Sequence, residues 1–258
     1  MKSNNNLKFG KFTDIGTKRL ENQDRVAIFC NEQYYLLILC DGMGGHFGGA
    51  LAASTTINTF ETTLHQLNVT QNLTIDETAR WIEQSVRKAR KEMEFLSLKD
   101  AALIDMGTTV TGVLINSVAK TIVVFNIGDS RIYTINKDNS VNQITKDHNL
   151  YNSLIEKFNY THKQAVAERG HRALTSSLGP TKKTKINISD LSKFYDEIEF
   201  VFATSDGVHN FVSQSFFELI FINNKDDDLD NLAQDIVQEA LLNKSNDNLS
   251  IGIIKLRD

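Results

Sequence analysis

Residues 107–135 read GTTVTGVLINSVAKTIVVFNIGDSRIYTI, and no other stretch restricts the fold as much. Three runs rich in Val, Ile, Phe and Tyr follow one another at 109–116, 121–127 and 130–136. Connections this short join antiparallel neighbours, because a parallel crossover needs about a dozen residues or more. The stretch therefore predicts a three-stranded antiparallel meander. Similar runs bounded by Gly, Asn or Asp predict strands at 7–14, 25–30, 34–40, 141–144, 185–190, 197–204 and 249–256.

Helices are expected at 47–66, 75–98 and 229–243. In the second, Ile75, Ala79, Ile82, Val86, Ala89, Met93 and Leu96 recur at spacings of four and three, which is one helix face. Thr74 and Glu77 supply a capping box at its start. In the third, Leu229, Leu232, Ala233, Ile236, Val237 and Ala240 repeat the pattern. Asp226, Asp227 and Asp228 precede it, where negative charge favours a helix N-terminus. Strands in meanders with helices in separate blocks do not read as βαβ units. They predict an α+β fold of two antiparallel sheets packed face to face, with helices outside. A lone proline, Pro180, and the absence of a Ser/Gly linker or a repeat predict one domain over 1–258.

Net charge is −4, and no basic stripe is interleaved with aromatics, so no nucleic-acid or anionic-membrane partner is expected. The apolar run YYLLILC is too short to span a bilayer. The start, MKSNNNLKFGK, lacks the apolar core of a secretory signal. Cys30 and Cys40 form neither a CxxC pair nor a disulfide framework. They read as buried small side chains of a protein in a reducing cytoplasm.

Four aspartates share one context. Asp41 follows YLLILC and precedes Gly42; Asp129 follows IVVFNIG; Asp206 follows IEFVFATS and precedes Gly207; Asp247 stands just before the last strand. Each alone reads as a turn residue. Together they put carboxylates at the ends of apolar strands, where mutual repulsion is costly without a cation. All-oxygen donors favour Mg, Mn or Ca, and no His/Cys spacing fits zinc. A pair of carboxylate-held metals suits in-line attack on phosphorus. The segment LCDGMGGHFGGA admits three readings, a phosphate cradle, a metal loop or a tight turn, and the Walker pattern is absent. Arg19 reads either as a fork for phosphate oxygens or as a surface arginine.

The motifs RLENQD at 19–24, DGMGGHFGG at 41–49, MGTTVTGVLI at 106–115, NIGDSRIY at 126–133, KDHNL at 146–150, HRALTSSLG at 171–179, ATSDGVHNFVS at 203–213 and NDNLSIGII at 246–254 occur in one order along the chain. In this set the chain resembles the type 2C, metal-dependent serine/threonine protein phosphatases in their compact bacterial form. The resemblance implies a four-layer α-β-β-α sandwich with a binuclear Mg/Mn centre, Asp41 bridging both ions and Gly42 offering its carbonyl. It implies that Asp206 and Asp247 complete one shell, that Asp129 with Asp206 matches a third, weaker ion, and that Asp24 acts through water. Arg19 matches the phosphate-binding arginine, Asn248 orients the loop of Asp247, Gly207 supports the site, and 148–175 match a mobile flap. The implied reaction is attack of a metal-bridging water on phosphoserine or phosphothreonine in substrates of a serine/threonine kinase, by a cytoplasmic monomer. Gln23, Met43, Asn210 and Ala50 depart from residues common elsewhere in the family, and Met43 leaves the leaving-group acid unassigned. His46 and His148 are the candidates for that acid.

Overall fold

All seven residues of Tyr34–Cys40 are buried. Tyr35, Leu37 and Leu39 lie with Val201, Ala203 and Ile254 of a facing sheet. Leu36, Ile38 and Cys40 lie with Ala52, Phe60 and Met93 of covering helices. A strand covered on both faces reads as one unbroken apolar run, since alternation needs a wet face.

The computed structural model describes residues 7–44, 47–69, 71–224 and 228–256. Its strands are β1 (Lys8–Asp14), β2 (Arg25–Asn31), β3 (Tyr34–Cys40), β4 (Gly42–Met43), β5 (Gly107–Thr108), β6 (Val110–Asn116), β7 (Thr121–Ile127), β8 (Arg131–Asn136), β9 (Val141–Gln143), β10 (Asn187–Asp190), β11 (Ile198–Thr204) and β12 (Leu249–Lys255). Its helices are α1 (Gly48–His65), α2 (Ile75–Lys99), α3 (Leu150–Phe158), α4 (His162–Ala167), α5 (Asp206–His209), α6 (Gln214–Asn223) and α7 (Leu229–Leu242). One antiparallel sheet has the order β1-β12-β11-β8-β9 and the other β10-β7-β6-β3-β2. Helices α1 and α2 cover the second sheet, where Phe60 stacks on Phe125 with ring centroids 5.3 Å apart. Helices α6 and α7 cover the first, with Phe217, Phe221 and Ile236 against Phe200, Phe202 and Ile253. The result is the four-layer α-β-β-α sandwich.

The capping box of Thr74 and Glu77 forms, and Asp228 caps α7 by accepting from the backbone of Asp230 and Asn231. Asp226 and Asp227 lie outside the described residues.

The three-stranded meander is not formed. β6 and β7 pair as a hairpin, but β8 crosses to the other sheet and pairs with β11 and β9. The free edge of β7 is taken by β10 instead. The crossing passes through Gly128, whose φ of 108° is open to glycine and strained for other residues. This crossing is what brings Asp129 between the sheets. Cys30 is exposed rather than buried, because it lies on β2, an edge strand that is only partly covered. The flap region carries two short helices, α3 and α4, with its base closed by Leu150 N–H donating to Ala173 O and Thr175 N–H to His148 O.

Candidate active site

Asp41, Asp129, Asp206 and Asp247 line one cleft of about 840 Å³, together with Arg19, Gly42 and Asn248. Each arrives from a strand end. Asp41 follows β3, Asp129 sits between β7 and β8, and Asp247 precedes β12. Asp206 is the first residue of α5 rather than the last of β11, and Ser205 still pairs with Ser250 in the ladder before it.

The backbone of Asp41 is held from both sides. Its N–H donates to Thr109 Oγ1 at 2.9 Å, while its carbonyl accepts from Thr109 N–H at 2.8 Å and Thr108 Oγ1 at 2.9 Å. The Thr109 hydroxyl also meets that of Ser130 at 2.7 Å, which ties the Asp41 segment to the Asp129 turn. The sequence offered no signal for this pair of contacts beyond the MGTTVT motif itself. Gly42 packs so tightly that a Cβ there would lie 2.3 Å from Gly49 O and 2.6 Å from Gln23 O. Glycine at this position is therefore a matter of space, and it keeps the loop pressed against the start of α1.

Arg19 Nη2 donates to Asp247 Oδ2 at 2.6 Å. Asn248 joins the two loops that make this contact. Its Nδ2 donates to Ile15 O at 2.9 Å and Glu21 O at 3.0 Å, and its Oδ1 accepts from Gln23 N–H at 2.9 Å. Ser245 Oγ donates to Gly207 O at 2.8 Å and holds the start of α5 to the same loop. Asn248→Ala removes three bonds that cross between segments. At about 1 kcal/mol each the expected loss is about 3 kcal/mol, or several degrees of Tm by thermal unfolding. An unchanged Tm would show that the loops hold without it.

Asp24 is almost wholly buried and does not line the cleft; it lies behind it. Burial, followed by the charges of Asp206 and Asp247, pushes its carboxyl up to about 7, against the pull of the Ser205 and Ser250 hydroxyls. Burial pushes Asp129 up to about 7, with the Asp206 charge adding to it. Asp206 rises to about 6 through burial and Asp247. Asp41 is driven well above the ordinary range by burial and by the charges of Asp24, Asp206, Asp129 and Asp247. Five carboxylates thus crowd one another, and among the described residues Arg19 is the one cation bonded to them directly. No three acidic, His or Cys side chains among the described residues converge closely enough to form a metal shell as they stand. The donor set fits a hard divalent ion all the same: it is all oxygen, partly buried and short of positive charge.

Two side chains proposed as acids are placed differently. His148 is buried, lines neither this cleft nor its neighbour, and its Nδ1 accepts from Gly128 N–H at 3.2 Å. It holds the base of the flap to the turn before Asp129. His46 lies outside the described residues. A second cleft of about 540 Å³ shares Asp129 and Asp206 and runs under the flap, lined by His171, Arg172, His209 and Asn210. Asn210 Nδ2 reaches Asp206 Oδ2 at 3.5 Å. Arg131 closes one wall with two bonds to Asp147, at 2.9 and 2.8 Å.

This fold and carboxylate cleft match known phosphatases. The family model for protein phosphatase 2C matches residues 16–243. A relative from Mycoplasma genitalium is 30% identical over 265 residues, covering 100% of this chain and 98% of its own length. The protein phosphatase PhpP of Streptococcus pneumoniae is 27% identical, covering 98% of each. Among solved structures, the S. agalactiae serine/threonine phosphatase superposes with a TM-score of 0.83 at 25% identity, covering 96% of this chain and 99% of that one. The catalytic domain of PstP, solved with two manganese ions, shares the fold with a TM-score of 0.74 at 23% identity, over 98% and 99% of the two chains. The chain belongs to the protein phosphatase 2C family and is a phosphatase. Among the described residues, no helix is long and apolar enough to cross a membrane.

Proposed function

We propose that this chain is a Mg- or Mn-dependent protein phosphatase acting on phosphoserine and phosphothreonine. The observation that carries the reading is the crowding of Asp24, Asp41, Asp129, Asp206 and Asp247 around one cleft, with Arg19 beside them. Such a cluster is costly in the folded state unless cations neutralise it. The names of the relatives and the manganese ions of PstP support the same reading. In this reading Asp41, Asp206, Asp247 and the Gly42 carbonyl would hold two ions. Asp129 with Asp206 would hold a third, weaker one, and Asp24 would act through water. Bound ions supply Lewis acidity toward water and phosphoryl oxygens.

The chain's own residues supply the rest. Arg19 Nη2 leaves Asp247 to hold the phosphoryl oxygens in a charge-assisted fork, which orients phosphorus toward the floor at Asp41. Thr108 and Thr109 fix the Asp41 backbone, and Asn248 fixes the Arg19 loop. His148 is buried away from the cleft with its Nδ1 turned to Gly128 N–H, so it is not the group that protonates the departing serine or threonine oxygen. The substrates would be phosphoproteins of a serine/threonine kinase, met by a cytoplasmic monomer of one catalytic domain over 1–258.

A panel of phosphothreonine peptides, nucleotides and sugar phosphates with Mn²⁺ tests the substrate class. Peptide turnover well above the others is expected; nucleotide preference would move the chain to small-molecule hydrolysis. Arg19→Ala is expected to lower kcat/KM about 30- to 150-fold, the worth of charge-assisted bonds of about 2–3 kcal/mol. An unchanged kcat/KM would return Arg19 to the role of a surface residue.

A further inference from the structure

Three apolar side chains stand on the rim of the carboxylate cleft and have no evident use in the fold. Leu20 is fully exposed, and Phe47 is 75% exposed. Leu174 is partly exposed, and its backbone bridges to Asn149 at the base of the flap. All three line the cleft that holds the four aspartates and Arg19. They come from three separate segments: the loop after β1, the residue before α1, and the end of the flap. Single exposed apolar residues are common and need no explanation. Three that converge on one charged cleft do.

Phe47 adds a second observation. It occupies the N-cap of α1 and makes no side-chain capping bond. Ser, Thr, Asp or Asn there would satisfy a free backbone N–H, and an aromatic residue gives that up. A residue that breaks a local rule without gaining burial points to use at the surface. Leu20, next to the phosphate-binding candidate Arg19, gains no burial either.

We propose that Leu20, Phe47 and Leu174 form an apolar lip that grips a hydrophobic side chain of the substrate polypeptide within about two residues of the phosphorylated one. The inference rests on the protein-phosphatase reading and narrows its substrate class. The occupant follows from continuity with the site. A chain whose phosphate lies at Arg19 carries its neighbouring side chains over the rim, since successive residues advance about 3.3–3.6 Å. An apolar side chain there covers Leu20 and Phe47 and removes their surface from water. A free phosphate or a nucleotide offers no such side chain.

The test uses two phosphothreonine peptides that differ at one position beside the phosphothreonine, leucine in one and serine in the other, assayed with Mn²⁺. Wild-type protein is expected to favour the leucine peptide at least fivefold in kcat/KM. Leu20→Ser and Phe47→Ser, made singly and together, are expected to bring that ratio to within twofold of one, and Phe47→Leu to keep most of it. The ratio is taken within each variant, so a general loss of activity cancels. Scanning leucine across the two positions on each side covers the alternative placements. Equal turnover of all these peptides by wild type, or a ratio unchanged in the double variant, overturns the lip and leaves the phosphatase reading standing. Hydrolysis of small esters with no peptide turnover overturns both.

Discussion

Asp41→Asn is expected to lower phosphate release at least about 10³-fold and, in chelator, to raise thermal stability at pH 7.5. The two effects have one cause. Burial and the charges of Asp24, Asp206, Asp129 and Asp247 hold the Asp41 carboxyl well above its ordinary range. In the unfolded chain it ionises near 3.9. Above that pH the unfolded state gives up its proton readily and the folded state resists, so stability falls as pH rises. An amide removes the penalty, and it also removes a charged ligand from the proposed ion pair. Loss of a central electrostatic group commonly costs 10²–10³ in rate, and a carboxylate that would hold both proposed ions stands at the top of that range. A turn aspartate predicts the reverse on both counts: activity kept and stability lost. Differential scanning fluorimetry in EDTA and a phosphate-release assay in Mn²⁺ separate the two.

Between pH 6.5 and 8, Tm measured in EDTA is expected to fall, and saturating Mn²⁺ is expected to reverse the fall. Asp24 and Asp129 titrate at about 7 in the folded protein and Asp206 at about 6, all above the unfolded value. Each contributes stability that is present in full below about 3.9 and lost as pH rises through the folded value, so Asp24 and Asp129 carry the fall above pH 6.5 and Asp206 has largely completed its own by then. His148 and His209 are both depressed by burial, so their contribution rises with pH and is complete once the unfolded imidazole has titrated; it opposes the fall only at the lower edge of this window. Cations that bind the ionised carboxylates favour the folded form, by about 2.7 kcal/mol at a hundredfold excess over Kd. Because protons compete with the ions, the Mn²⁺-induced rise in Tm is expected to be larger at pH 8 than at pH 6.5. A rise that is smaller at pH 8 would mean that the aspartate cluster is not where the ions bind.

Much of this is legible in the residue pattern. YYLLILC announced an apolar strand, and the spacing from Ile75 to Leu96 announced one face of α2. The four aspartates could be paired with strand ends because the strands themselves were strongly patterned. Choices made by partners far along the chain were hidden. Nothing in 107–135 says that β10 will take the edge of β7 and send β8 to the other sheet. Arg19 and Asp247 stand 228 positions apart, so their ion pair has no local sign. Helix α6 was missed because SFFELIFI is apolar almost throughout, and its period is blurred. His148 looked like an acid because its bond to Gly128 is long-range and invisible in sequence. The lip was missed for the opposite reason: Leu20 and Phe47 are unremarkable letters until their exposure is known.

The most direct measurement is release of phosphate from a phosphothreonine peptide by purified protein, first in EDTA and then with Mn²⁺ restored. Turnover that falls at least about 10³-fold in chelator and returns with Mn²⁺ is the result expected of a carboxylate cleft that works by holding divalent ions. Turnover of the same peptide at full rate in EDTA would contradict it.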